Sequence, residues 1–231
     1  MIGNSRLFCV PFFTLGFLAV AVGQEPAGAE LTYFGRSSVK IKTASGFVVY
    51  IDPYAPGDYS EPADLILVTH GHGDHNHVKL VTHKPETVLA APAGAVTERG
   101  ARDATEGDVF TVGAVAVRVL PAANNNHDRA ASRGYLVSFD GLVVYHAGDT
   151  DYLPEMAGYG AYGITHALLP CDGFYNMGPE EALRCAEAMN ADTVIPIHSS
   201  KSGLFDEQNA RTVRAKNLIV LKPGETARLR P

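Results

Sequence analysis

Cysteine is scarce in this chain. Among 231 residues there are three, Cys9, Cys171 and Cys185. The last two lack the close Cys or His neighbours that a thiolate metal site needs, and they permit one disulfide at most. A free thiol in a buried strand end or helix is the expected state. Positive charge is thin as well. Nineteen Lys and Arg stand against 25 Asp and Glu, for a formal charge of -6 with no basic cluster. That argues against nucleic acid or an anionic membrane surface as the partner and leaves a small-molecule substrate. Oligomerisation with further copies is compatible with this composition. No solenoid-length repeat and no low-complexity tract is present.

Long apolar runs are also missing, except at the start. Arg6 is the only charged residue before Glu25, and the stretch from Leu7 to Val22 between them is apolar. A basic start, a short apolar run and small residues after it describe a signal peptide over 1–23, with cleavage as late as residue 29 as an alternative. The expectation is export, to a periplasm or outside the cell, with no stable membrane partner once the leader is removed. An uncleaved anchor is the competing reading. It is weakened by Pro11 and by a length below the ~20 apolar residues of a spanning helix. Cys9 lies too early in the run to be a lipid-attachment site. With 46% hydrophobic residues overall, residues 30–231 suit one domain around one core.

That remainder begins strand-like. Residues 31–34, 39–42 and 47–51 are β-prone runs punctuated by small residues, the pattern of an antiparallel meander. It ends at Asp52, which either supports a site or caps a turn before Pro53. Leu65 to Val68 is a buried strand. Helices are expected to follow from His75 to about His83 and over 93–99, with strands at 87–91, 108–112 and 115–120. Asp140-Gly141 is a two-residue hairpin turn between strands 134–139 and 142–145. After it the grammar changes to alternating helix and strand. A weak helix near 153–158 precedes a strand at 167–170. The strongest helix spans 179–189, with proline and glutamates in its first turn. A strand at 193–197, a helix at 205–215 and strands at 218–221 and 226–229 close the chain. Two sheets packed together with helices outside would bury both patterns.

Chemistry concentrates in Thr69-His70-Gly71-His72-Gly73-Asp74-His75. A strand runs into alternating imidazoles separated by glycines that let the backbone bend. His70 and His72 in an extended segment point to one side and can share a metal, while Asp74 and His75 follow a further bend and can turn to a second. Two more strands end in polar groups, at His146-Ala147-Gly148-Asp149-Thr150 and at Pro196-Ile197-His198. A carboxylate such as Asp149 can bridge two cations. An all-N/O donor set suits zinc, manganese or iron, and the donor types alone do not choose among them; zinc is the expected metal. His77 and His83 are expected on the surface and His166 in a structural role. The loop at Asn124 to Asn126 and the segment Cys171 to Tyr175 lie in stretches that could border the site.

His70-x-His72-x-Asp74-His75, a later histidine, Gly148-Asp149-Thr150 and Pro196-Ile197-His198, in that order, resemble the metallo-β-lactamase superfamily. Tyr145 to Asp151, Leu168-Leu169-Pro170 and Met177 to Ala182 resemble its branch of ascorbate-phosphate lactonases and related metal-dependent hydrolases. The resemblance implies an α/β (α+β) fold, an αββα sandwich of two mixed sheets with helices on the outer faces. It implies a first metal on His70, His72 and His127, a second on Asp74, His75 and His198, and Asp149 as the bridge. His146 is the alternative to His127, and otherwise a supporting residue behind the ligands, like Asp52. One departure is visible: relatives often carry histidine where this chain has Arg36 after Gly35, so a substrate-side role inferred for that position does not carry over, while the metal ligands are untouched.

Two metals ~3.5–4 Å apart can hold a hydroxide and polarise the atom it attacks. The expected reaction is therefore hydrolysis of a small-molecule ester, lactone or phosphoester, with Asp74 also orienting the nucleophile or moving its proton. Amide hydrolysis, as in a true β-lactamase, is the second enzymatic reading. A metal-dependent binding protein without turnover is the reading from another class.

Overall fold

The computed structural model describes residues 28–231; the expected leader over 1–23 lies outside them. Two β-sheets form the frame. The first holds β1 (Ala29–Gly35), β2 (Ser38–Lys42), β3 (Val48–Ile51), β4 (Ala63–Leu67), β5 (His83–Ala91), the two-residue β6 (Arg102–Asp103) and the last strand of the chain, Thr226–Leu229. The second holds β7 (Val109–Val112), β8 (Val115–Pro121), β9 (Arg133–Phe139), β10 (Leu142–His146), β11 (His166–Pro170) and β12 (Thr193–Ile197). Numbering the last strand β13, the orders are β13-β1-β2-β3-β4-β5-β6 and β12-β11-β10-β9-β8-β7.

Each sheet is mixed for a local reason. Short turns join β1 to β2 and β2 to β3, and the Asp140-Gly141 turn joins β9 to β10, so these pairs are antiparallel. Longer connections let β3, β4 and β5 run parallel in one sheet and β10, β11 and β12 in the other. Leu31, Ile41, Val49 and Leu65 of the first sheet meet Val117, Val119, Val137 and Val144 of the second in one buried cluster. That burial is the main driving force holding the sheets face to face.

The outer faces carry little helix. On the second sheet, helix α1 (Pro179–Ala188) and a 3-10 stretch (Pro154–Tyr162) cover Tyr145, Ala167 and Leu169. On the first, Phe34, Tyr50 and Ile66 are covered by Tyr59, Val78, Val81 and Ala95, which lie in loops and a single 3-10 turn. The helix expected from His75 to His83 is thus only Val78–Leu80, and β5 starts at His83. No side chain caps this turn, and β-branched Val81 and Thr82 favour the extended chain that follows. No helix forms over 93–99, where Gly94 takes φ 78°. The helix expected over 205–215 is one turn, α2 (Glu207–Ala210), capped by Asp206. Thr212 and Val213 are poor helix continuers. Residues 218–221 contribute one isolated bridge, Leu218 to Val194. Among the described residues no helix is long and apolar enough to cross a membrane.

Candidate metal centre

Parallel strands finish on the same edge of a sheet, so residues after their last positions become neighbours however far apart in sequence. Asp52 follows β3 and the His70–His75 loop follows β4. Asp149, Asp172 and His198 follow β10, β11 and β12. Stacking the sheets brings these two edges together. The join is hydrogen-bonded: Tyr135 Oη donates to Val68 O at 2.7 Å, Arg133 N to Thr69 O at 2.9 Å and His198 N to Arg36 O at 2.8 Å. His127 arrives from the long loop after β8, fixed by a short bridge to Asn124.

The expected donors converge as two groups. His70, His72 and His127 form one, and Asp74, His75 and His198 the other; His70, His75 and Asp149 link them, with the donor atoms of each trio within 4.8 Å of one another. His70 Nε2 and His72 Nδ1 are 3.1 Å apart. Asp149 Oδ2 lies 3.4 Å from His127 Nε2 and 3.5 Å from both His75 Nε2 and His198 Nε2. Asp74 stands 3.7 Å from each of His75 Nε2 and His198 Nε2 through its two oxygens. A tetrahedral ion with ~2.1 Å bonds separates its donors by ~3.4 Å, so the spacing fits metal. His75 Nε2 is buried and has no hydrogen-bond partner, which a metal would satisfy. One oxygen of Asp149 is the vertex common to both groups.

The backbone here is unusual. Five described non-glycine residues have positive φ, and three of them, Arg36 (50°), Asp52 (49°) and His198 (42°), support or line the site. Such strain is retained where the surroundings over-determine it. Gly148 (φ 65°) precedes Asp149; a Cβ there would stand 2.6 Å from Arg133 O, so the turn that presents Asp149 requires glycine.

Behind the donors, buried groups fix which nitrogen each imidazole offers. Asp52 Oδ2 accepts from His75 Nδ1 at 2.8 Å, leaving Nε2 for metal, and from Thr69 Oγ1 at 2.7 Å. Thr69 Oγ1 in turn lies 3.0 Å from His70 Nδ1. Asp52 therefore orients a histidine of each group, one directly and one through Thr69. Asp172, flagged in the sequence only as part of a bordering segment, sits 3.0 Å from His198 Nδ1 through Oδ2. Asn176 Nδ2 donates to that same oxygen at 2.9 Å. Asn124 Nδ2 donates to Asn176 Oδ1 at 3.1 Å, and Asn124 Oδ1 is 2.8 Å from His127 Nδ1. A chain of carboxylate and amide groups thus ties a histidine of one group to a histidine of the other. Asp172 shares with Asp149 and His198 its place after a parallel strand, the one signal that could have revealed it.

His146 stands elsewhere. Its Nε2 is 2.9 Å from Ser37 O and its Nδ1 accepts from Gly148 N at 3.2 Å. It belongs to neither donor group, because β10 ends with its ring turned toward the β1–β2 turn. It braces that turn, where Ser37 Oγ lies 3.4 Å from Asp149 Oδ1, rather than holding a ligand itself. His77 is exposed, with its ring edge-on to Tyr54. His83 is exposed too, and His166 bonds locally to Thr165.

Charge is shared unevenly. Burial, reinforced by the positive charge on His75, pushes His70 down to about 3. Burial alone would lower His198, but Asp149, Asp172 and Asp74 outweigh it and raise it to about 9. His75 is also raised, because Asp149 and Asp52 overcome its burial. Burial would raise Asp149 and Asp74, yet the surrounding histidines hold both below the usual carboxylate range. The donors open onto a cavity of about 250 Å³, bordered also by Arg36, Asn126 and Tyr175.

Comparison with known proteins identifies the family. Residues 30–198 match the family model of the beta-lactamase superfamily domain. A protein of Methanoregula boonei called a UPF0173 metal-dependent hydrolase is 34% identical over 222 residues, covering 87% of this chain and 99% of that protein. A namesake from Thermus thermophilus is 31% identical with the same coverage. Among solved structures, a metallo hydrolase from Ignicoccus hospitalis superposes with a TM-score of 0.70 at 25% identity, over 87% of this chain and 98% of that one.

Proposed function

The chain belongs to the metallo-β-lactamase superfamily as a metal-dependent hydrolase, and on that premise we propose that it uses two divalent metals to hydrolyse a small-molecule ester, lactone or phosphoester. His70, His72 and His127 would hold one metal and Asp74, His75 and His198 the other, with Asp149 placed to serve both. Zinc is the expected metal, with manganese or iron as alternatives. The observation that carries the reading is the single Asp149 oxygen within 3.4–3.5 Å of histidine nitrogens from both groups. When bound, the metals supply an acidified water and a Lewis acid for the charge that develops at the attacked centre.

The chain's own residues do the rest. Asp52 and Asn124 engage the outer nitrogens of His75 and His127, and Asp172 stands at ion-pair distance, 3.0 Å, from that of His198, so the inner nitrogens face the donor groups. Asp74 is the one donor carboxylate with appreciable exposure, 31% against 3% for Asp149. Its lowered pKa keeps it ionised, and it borders the cavity. It can therefore accept a hydrogen bond from the attacking water and take its proton. We place the enzyme outside the cytoplasm after loss of residues 1–23, on the strength of the leader pattern.

Metal analysis of the purified protein and a panel of ester, lactone and phosphodiester substrates test this together. Asp74→Asn, checked to retain metal, should lower turnover by roughly 100-fold or more, the usual weight of general acid–base catalysis. Undiminished turnover in that variant would remove the proton role. Absence of metal, with no effect of alanine at His70 or His198 on stability or activity, would remove the whole site.

A further inference from the structure

Arg36 lies in the tight turn between β1 and β2, and its backbone is held from three sides. Its N–H donates to Leu204 O at 2.8 Å, and its carbonyl accepts from His198 N at 2.8 Å and Tyr33 Oη at 3.0 Å. It does so in the left-handed region, at φ 50°, a conformation that costs an arginine free energy. The side chain this turn delivers to the cavity is only 14% exposed. Its guanidinium has five N–H donors. One, on Nη1, bonds to Ser200 O at 2.8 Å. The nearest carboxylate oxygen, Asp74 Oδ2, is 4.0 Å from Nε, an ion-pair distance beyond hydrogen-bond reach.

A largely buried cation without a hydrogen-bonded carboxylate is costly unless something anionic completes it. The other acidic groups bordering the cavity are Asp74 and Asp149, and in the hydrolase reading both are committed to metals. The remaining source of negative charge is the compound that enters. A guanidinium presents paired donors that match a carboxylate or phosphate edge. The cavity, at about 250 Å³, is below the usual ~300–1,000 Å³ of sites for drug-sized ligands, so that compound is small. Asp74 also stands 3.7 Å from His198 Nε2. A group seated on Arg36 is therefore within one small molecule's length of the second metal group.

We propose that Arg36 is an anion anchor: the hydrolysed compound carries, apart from the bond that is cleaved, a carboxylate or phosphate group that docks on the Arg36 guanidinium. This rests on the hydrolase reading above and names its substrate class. The group is not altered in the reaction; it positions the ester, lactone or phosphoester bond against the metal centre.

The test compares aryl esters whose acyl chains end in methyl, carboxylate or phosphonate, on metal-loaded wild type, Arg36→Ala and Arg36→Lys of equal metal content. The quantity read is the ratio of kcat/KM for each anionic ester to that for the neutral one. Arg36→Ala should lower this ratio by roughly 10- to 100-fold, the worth of a charge-assisted hydrogen bond, and Arg36→Lys should restore part of it. The ester showing the larger loss distinguishes carboxylate from phosphate. A ratio within twofold of wild type in Arg36→Ala overturns the proposal. If wild type hydrolyses none of the esters, calorimetric titration of the same metal-loaded proteins with succinate and with inorganic phosphate replaces turnover. Binding weakened at least tenfold by Arg36→Ala then upholds the anchor while ester hydrolysis falls; equal affinities overturn the anchor as well.

Discussion

Replacing Asp52 by asparagine isolates one atom's charge at the centre of the site. Asp52 is fully buried at φ 49°, and asparagine tolerates that backbone as well as aspartate does, so the fold is not strained by the change. Oδ1 accepts from Thr69 N at 2.7 Å, and Oδ2 accepts from both Thr69 Oγ1 and His75 Nδ1. With the amide oxygen kept on Thr69 N–H, the new NH2 takes the place of Oδ2. It then faces an imidazole N–H, donor against donor. The conflict is relieved if His75 moves its proton to Nε2, the nitrogen aimed at Asp74, Asp149 and the metal. A charge-assisted hydrogen bond of about 1.5–3 kcal/mol is lost, and supporting residues of this kind typically change metal affinity by about 10–100-fold. The expected result is that affinity for the metal on Asp74, His75 and His198 falls by that factor. The metal on His70, His72 and His127 is weakened less, because Thr69 can still engage His70. Chelator competition on the intact protein, with both binding steps resolved, measures this. Wild-type affinity at both steps would show that Asp52 only caps its turn. Equal weakening of both would show that the histidine tautomer is not the route.

Two further outcomes follow from the same geometry. Metal-free protein should be most stable near pH 6.5. His198 is raised to about 9, so its contribution is complete below its unfolded value of ~6.5 and disappears as pH rises through 9; raised His75 acts in the same sense. His70, lowered to about 3 by burial, and the similarly lowered His127 and His146 are neutral in the fold, so stability also falls as pH drops below ~6.5 and the unfolded chain takes up their protons. Thermal melts across pH 4–10 read both limbs, metal should remove the alkaline one, and a flat alkaline profile in the metal-free protein would contradict the assignment. Asn176→Ala cuts the amide chain between Asn124 and Asp172; both metals should bind more weakly, by roughly tenfold, at a stability cost of only about 1 kcal/mol. Unchanged chelator competition would reduce Asn176 to a loop brace.

Legibility differed between strands and helices for a physical reason. The strand runs around Asp140-Gly141 and at 193–197 carry their own signal, because alternating or continuous burial on a sheet requires apolar β-branched residues there. The stretches from His75 to about His83 and 205–215 are expected as helices, but their apolar members equally suit a loop packed on a sheet. Tyr59, Val78, Val81 and Ala95 cover the first sheet without a helix. The caps were missing or the following residues β-branched, and the helices stop within a turn.

The candidate donors that the fold brings together were visible in the sequence. Few structures other than a metal loop place three histidines and an aspartate within six residues at a strand end, and Asp149 and His198 repeat the strand-end position. What the sequence could not hold is which side chains stand behind them. Asp52, Asp172, Asn124 and Asn176 are common residues at uninformative spacings. They become a support only because parallel strands finish on one edge and the two sheets face each other. The same tertiary step turns Arg36 from a turn residue into a cation facing the cavity. His146 shows the converse. As the alternative ligand to His127 it would have to join a donor group, but its ring turns to Ser37 and supports the turn beside Asp149.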